Sequence, residues 1–60
     1  MSEISERQIE IIQATGKILT DTGVAGLTIK KLATAMQFSE SAIYRHFESK
    51  EAILVAMFHF

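Results

Sequence analysis

Residues 39 to 50 read SESAIYRHFESK and crowd phenol, guanidinium and imidazole groups beside a phenylalanine. His46 is the side chain here that could bind a metal, but no second ligand stands at a useful spacing, so no metal site is predicted. The sequence offers no paired-carboxylate cleft, no nucleophile with a base and no phosphate-cradling glycine loop, so it predicts no enzyme. From the residues alone, Tyr44 could be a half-buried aromatic and Arg45 a solvated charge that pairs with Glu48.

The composition excludes several classes of protein. The 60 residues are 48% apolar and 22% charged, and they lack cysteine, which excludes disulfides and thiolate metal sites. The stretch MSEISERQ has no apolar core, so it predicts no signal peptide. The longest apolar run, AILVAMF, is far shorter than the ~20 residues of a membrane span. We therefore expect a cytoplasmic protein with no membrane partner, and nothing in the sequence indicates a bound cofactor.

The net charge of −1 comes from six lysines and arginines against seven aspartates and glutamates. That balance is not typical of a nucleic-acid-binding protein. A local basic face is still possible, because several cations lie in the second half of the chain. They are Lys30, Lys31, Arg45 and Lys50. Lys30 and Lys31 by themselves indicate a solvated face rather than specific contacts.

The elements that must position these side chains are helices. At the start of helix one, Ser5 and Gln8 match a capping box, and Ile4 and Ile9 could form a hydrophobic staple. Helical spacing then predicts one inner face, and Gly23 ends the helix at about residue 22. That face consists of Ile11, Ala14, Thr15, Ile18, Leu19 and Thr22.

Three further helices follow at short spacing. The residues VAGL predict a loop, and Thr28, Ser39 and Ser49 predict three N-caps about ten residues apart. The capped stretches are IKKLATAM, then ESAIYRHF with about two turns, then KEAILVAMFHF. Helix two should face inwards through Ile29, Leu32, Ala33 and Met36.

Helices two and three together predict a helix-turn-helix over residues 28 to 47. Ala33 is small, so helix three can cross close over helix two, and Ile43 should anchor helix three in the core. Position 37, in the turn, favours a left-handed backbone, for which Gln37 is a poor choice.

Helix four is apolar on every side, and such a helix is usually buried. A body of 60 residues cannot cover it. We therefore expect either that this sequence is the front piece of a longer protein or that helix four is an oligomer contact.

The stretches TGVAGLTIKKLA and FSESAIYRHFESKEAIL resemble the N-terminal DNA-binding domain of the TetR (tetracycline repressor) family of bacterial transcription regulators. The pairing of IYRHF with SKEAIL is the most family-specific part. The resemblance implies an all-α fold: a homeodomain-like three-helix bundle over residues 1 to 47, then the start of helix four over residues 48 to 60. Helix four would lead to a C-terminal ligand-binding and dimerisation domain, which is absent from this chain.

In that family, helix three is the recognition helix, and its N-terminal end enters the major groove. The resemblance assigns that end to Ser39, Glu40, Ser41 and Ala42. Tyr44 and His46 would lie near phosphates, and Arg45 would reach a phosphate or a guanine edge. Thr28 and Lys50 begin helices whose free N–H groups suit phosphate oxygens.

Three residues depart from the family pattern. Gln37 and Ser41 stand where the family commonly has glycine, so Gln37 should weaken the turn and Ser41 adds a side chain close to DNA. Glu40 puts a negative charge at the DNA-facing end. That carboxylate could accept a hydrogen bond from a cytosine amino group, or it could repel phosphates.

The resemblance implies sequence-specific DNA binding within a ligand-responsive transcriptional regulator, most often a repressor. Its partners would be a palindromic operator in double-stranded DNA, a second copy of the full-length protein, and a small-molecule effector held by the C-terminal domain. The alternative from another functional class is a small helical protein-interaction module that uses the apolar helix four.

Overall fold

A computed structural model describes residues 5 to 59, which form four α-helices and one 3₁₀ turn and contain no strand. The elements in chain order are α1 (Glu6–Thr22), the 3₁₀ turn (Val24–Gly26), α2 (Ile29–Met36), α3 (Glu40–Tyr44) and α4 (Lys50–His59). The expected all-α fold is therefore confirmed. Within residues 5 to 59, no helix has both the length and the apolar character needed to cross a membrane.

The start of α1 is held by the expected capping box. The Ser5 hydroxyl oxygen accepts from the Gln8 backbone N–H at 3.1 Å, and the Gln8 side chain accepts from the Ser5 N–H at 2.9 Å. At the other end, Gly23 has a φ of 76°, and its N–H donates to the Leu19 carbonyl at 2.9 Å. Ile4 lies outside the described residues, so the staple stays a prediction.

The core lies where α1 packs against α2 and α4, with α2 packing in turn against α3. Its buried apolar members are Ile11, Ile12, Ile18, Leu27, Ile29, Leu32, Ala33, Ile43, Phe47 and Ile53. The face of α1 differs from the expected one at two positions: Ile12 is buried, and Thr22 at the helix end is exposed. Thr15 is buried as expected, and its hydroxyl donates to the Ile11 carbonyl at 2.8 Å.

The loop expected at VAGL is instead a 3₁₀ turn that delivers Leu27 to the core. The N–H of Leu27 donates to the Val24 carbonyl at 3.1 Å, and the Leu27 side chain is fully buried. The turn therefore anchors the entry to α2, which Thr28 then caps by accepting from the Lys31 N–H at 2.9 Å. Burial of a leucine side chain stabilises the fold by roughly 1.5–3 kcal/mol, which favours the ordered 3₁₀ turn over an open loop.

The turn between α2 and α3 has the left-handed residue expected at position 37. Gln37 has φ 60° and ψ 38°. The Phe38 N–H donates to the Ala33 carbonyl at 2.8 Å, and the Gln37 N–H donates to the Thr34 carbonyl at 3.1 Å. These two bonds form a Schellman motif, which usually has glycine at the left-handed position.

Replacing Gln37 with glycine should therefore stabilise the chain by roughly 0.5–1 kcal/mol, because glycine adopts this backbone without steric cost. The measurement is a urea denaturation curve. Thr34→Gly is the matched control: Thr34 is exposed inside α2, so glycine there should lower the midpoint. A lower midpoint for Gln37→Gly would contradict the prediction.

The third helix differs from its expected extent, and the fourth is only partly buried. α3 ends at Tyr44 rather than near Phe47, because the His46 N–H donates to the Ile43 carbonyl at 2.9 Å and tightens the last turn. In α4, only Ile53 is buried, while Val55 and Phe58 are 55% and 83% exposed. This exposure agrees with the expectation that a body of 60 residues cannot cover an all-apolar helix.

Candidate nucleic-acid interface

Three hydroxyl caps fix the starts of the helices around the candidate interface. The hydroxyl oxygens of Thr28, Ser39 and Ser49 each accept a hydrogen bond from the backbone N–H three residues later, at 2.9 to 3.1 Å. A capping hydroxyl that accepts from the backbone still has its own O–H to donate. The remaining N–H groups in the first turn of each helix have no intrahelical partner. The three expected caps are confirmed.

The starts of α2 and α4 lie side by side. The Lys50 ammonium approaches the backbone oxygen of Leu27 at 3.4 Å, which links the first residue of α4 to the residue just before the α2 cap. Both helix starts carry the positive end of a helix dipole.

An open cleft of about 450 Å³ lies between these helix starts and α3. It is lined by Thr28, Ile29, Lys30, Glu40, Tyr44, Glu48, Ser49, Lys50 and Glu51. Four of the nine expected site residues therefore meet here: Thr28, Glu40, Tyr44 and Lys50. Tyr44 is 48% exposed, so part of its side chain is accessible from the cleft.

The charge of the cleft is mixed. Lys30 and Lys50 contribute two cations, and Glu40, Glu48 and Glu51 contribute three carboxylates. Side-chain charge alone would therefore not hold an anion in the cleft. Attraction for a phosphate has to come chiefly from the backbone N–H groups, the hydroxyls and the ammonium groups placed closest to it.

The other five expected residues lie outside the cleft lining. Ser39 and Ser41 are exposed, with their hydroxyl oxygens 3.2 Å apart, and Ala42 is half-buried. Arg45 is exposed, and His46 is half-buried in the turn that follows α3. Ser39, Glu40 and Ser41 are thus exposed at the start of α3, with Ala42 half-buried beside them.

The ion pair suggested between Arg45 and Glu48 is not formed. The ion pair found within residues 5 to 59 is instead between Arg7 and Glu10, whose Nη1 and Oε1 atoms are 2.7 Å apart. The Arg45 guanidinium is thus left exposed to solvent beside the end of α3.

Sequence reasoning missed several residues at or near the cleft. Lys30 lines it, although the sequence favoured a solvated face. Glu48, considered only as a partner for Arg45, and Glu51, which was not considered, also line it. Gln8 was assigned only to the cap of α1, yet its side-chain nitrogen donates to the His46 carbonyl at 3.1 Å.

Comparisons with known proteins bear directly on this helix-turn-helix. The sequence model of "Bacterial regulatory proteins, tetR family" matches residues 11–57. The nucleoid occlusion factor SlmA of Vibrio campbellii is 38% identical over 60 residues, which is 98% of this chain and 31% of that protein. The tetracycline repressor protein class A from transposon 1721 of Escherichia coli is 40% identical over 47 residues, or 78% of this chain and 22% of the repressor.

An uncharacterized HTH-type transcriptional regulator of Bacillus subtilis, YerO, is 34% identical over 53 residues, covering 88% of this chain and 18% of that protein. The chain thus spans less than a third of the length of these relatives. No solved structure gave a significant match. Because the family match covers most of the chain, from the middle of α1 to α4, the protein belongs to the tetR family of bacterial regulatory proteins.

Proposed function

We propose that this chain binds double-stranded DNA in a sequence-specific manner, as the DNA-binding domain of a bacterial transcriptional regulator. The observation that carries the proposal is the meeting of Thr28, Tyr44 and Lys50 in one cleft, between two helix starts. These residues come from three separate elements, and each has a donor that a phosphate oxygen can accept. The exposed N-terminal part of α3 lies beside them.

In this proposal the cleft holds the DNA backbone. The Thr28 hydroxyl accepts from the Lys31 N–H, so its own O–H can donate to a phosphate oxygen. The phenol of Tyr44 and the ammonium of Lys50 add two further donors. Arg45 and His46, at the end of α3, would extend these contacts along the backbone, and Arg45 could also reach a guanine edge.

Base recognition would come from the first turn of α3. Ser39, Glu40, Ser41 and Ala42 carry short side chains or a single carboxylate, so this end can approach base edges closely. Glu40 would accept from a cytosine amino group, and the Ala42 methyl would touch a thymine methyl. Glu40 also lines the cleft. At a DNA sequence that lacks the cytosine, phosphates would repel its carboxylate, and no hydrogen bond to a base would offset that repulsion.

We further propose a cytoplasmic repressor that acts as a homodimer on a palindromic operator. One relative is named a repressor, and two-fold symmetric dimers of helix-turn-helix proteins bind half-sites one or more helical turns apart. The relatives are more than three times as long as this chain. In such a regulator, the three-helix DNA-binding part over residues 1 to 47 would be joined through α4 to a domain that binds the effector and the second copy.

A salt titration tests the proposed DNA contact. A duplex is first selected from a random pool by binding to the chain, and its affinity is then measured between about 50 and 200 mM salt. Affinity should fall steeply with salt, and Lys50→Ala should reduce the slope by up to about one unit. Lys17→Ala removes the same charge from an exposed site on α1 and should leave the slope unchanged. Binding that does not depend on salt would contradict the proposal.

A second candidate function is protein binding through α4. It is favoured by the exposure of Val55 and Phe58, two large apolar side chains on one helix. The same titration separates the candidates, because a protein-interaction module would show no affinity for any duplex.

A further inference from the structure

The first turn of α1 contacts residues that flank α3 on both sides. The Arg7 guanidinium carbon lies 5.0 Å from the centre of the Phe38 ring, and Phe38 immediately precedes Ser39, the N-cap of α3. At the other end, the Gln8 side-chain nitrogen donates to the His46 carbonyl at 3.1 Å. Neighbouring residues of α1 thus hold the residues that flank the recognition helix.

α3 needs such contacts because it is only five residues long. A helix of this length is not stable through its own hydrogen bonds. Its N-terminal end is capped by Ser39, and its inner side is anchored by Ile43 and Phe47. The turn that follows α3 bonds back to the carbonyls of Ser41 and Ile43. The Gln8 bond to the His46 carbonyl ties that turn to a residue 38 positions away.

The amide of Gln8 is fixed in one orientation by its two partners. Its oxygen accepts from the Ser5 N–H at 2.9 Å, and its nitrogen donates to the His46 carbonyl at 3.1 Å. Rotating the amide by half a turn would bring NH₂ against N–H and oxygen against oxygen. The α1 cap and the contact with α3 are therefore made by one rigid group.

We infer that Gln8 is a positioning residue for DNA recognition, which sets the end of α3, and with it Arg45 and His46, relative to α1. Arg7 supports the opposite end through Phe38. The inference rests on the proposed function, since it concerns how α3 meets DNA. Gln8 itself need not touch DNA to act in this way.

Gln8→Glu separates the two roles of this side chain. A carboxylate still accepts from the Ser5 N–H, and glutamate is a preferred residue at this position of a capping box. Its negative charge also suits the start of a helix. It has no hydrogen to donate to the His46 carbonyl. Gln13→Glu is the matched control, because it adds the same charge at an exposed position of α1.

Two measurements on the 60-residue chain test the inference. The first, without DNA, is hydrogen exchange at the backbone amides of Arg45, His46 and Phe47, which bond back to residues of α3. Gln8→Glu should speed their exchange by about 3- to 10-fold, as expected for the loss of one hydrogen bond. The melting temperature of Gln8→Glu should fall by no more than the loss of this one hydrogen bond explains, and Gln13→Glu should leave it nearly unchanged.

The second measurement is the ratio of affinities for the selected duplex and a random duplex. Gln8→Glu should lower this ratio by about 3- to 10-fold, whereas Gln13→Glu should weaken both duplexes equally. Unchanged exchange at the three amides would overturn the inference. Faster exchange with an unchanged affinity ratio would also overturn it, because the Gln8–His46 hydrogen bond would then stabilise the turn after α3 without affecting DNA recognition. If the wild-type chain bound no duplex, the proposed function would fail, and exchange alone would still decide whether Gln8 holds α3.

Discussion

Ile43→Ala should lower the free energy of unfolding by about 2–5 kcal/mol. Ile43 is 0% exposed and lies in the core shared by α1, α2 and α3. A 60-residue domain is stable by only about 3–9 kcal/mol, so a loss that approaches its total stability would leave much of the chain unfolded. Since α3 is anchored through this side chain, DNA binding should be lost together with the fold.

The measurement for Ile43→Ala is chemical denaturation followed by circular dichroism. Val24→Ala is the matched control, because Val24 is 61% exposed in the 3₁₀ turn. That control should change stability by less than about 0.5 kcal/mol. If both variants lost the same stability, α3 would not be held by the core in the way described.

Ala42→Arg should change the preferred base at one position of each half-site. Ala42 lies in the exposed N-terminal part of α3, where its methyl can touch a thymine methyl and little else. An arginine can bind a guanine in a bidentate manner, a contact with about 1–3 kcal/mol of discrimination against other bases. The effect should appear as a new guanine preference in a binding matrix of all single-base variants at fixed salt.

Lys50→Ala and Tyr44→Phe are the controls for this matrix. Both side chains line the cleft proposed for phosphates, and phosphate contacts carry no direct sequence information. These variants should weaken binding to every duplex by similar factors. A thermal melt of Ala42→Arg shows whether the half-buried site tolerates the larger side chain. If the folded Ala42→Arg variant left the base preferences unchanged while Lys50→Ala altered them, the assignment of Ala42 to base recognition and of Lys50 to phosphate binding would be contradicted.

The helix starts were predictable because their signals are local. A cap joins a hydroxyl to an N–H three residues later, so Ser5, Thr28, Ser39 and Ser49 could be identified from neighbouring letters. The left-handed turn at position 37 was predictable from its place in the helix-turn-helix, although glutamine is a poor residue for it. The resemblance also named Thr28, Tyr44 and Lys50, which the fold brings to one cleft.

Features that depend on distant parts of the chain were not predictable. Leu27 follows a stretch that reads as a loop, and its burial depends on where the 3₁₀ turn meets α1. The bond from Gln8 to His46 spans 38 residues and leaves no local pattern. Ile12 was missed because the spacing was assigned to a single narrow face. Hydropathy predicted that the chain cannot cover α4, but it does not specify that Phe58 is among the uncovered residues, because that depends on how α4 packs against α1.

Binding to duplexes whose purines lack one groove-facing nitrogen tests directly whether α3 lies in the major groove. In the selected duplex, 7-deazapurines remove an acceptor from the major groove only, and 3-deazaadenine removes one from the minor groove only. With α3 in the major groove and Arg45 on a guanine edge, 7-deazaguanine at that position should reduce affinity by about 2- to 10-fold through the lost hydrogen bond to N7. The 3-deazaadenine duplex should bind like the unmodified one. Full affinity for the 7-deaza duplexes, with a loss for the 3-deaza duplex, would contradict the proposed recognition by α3.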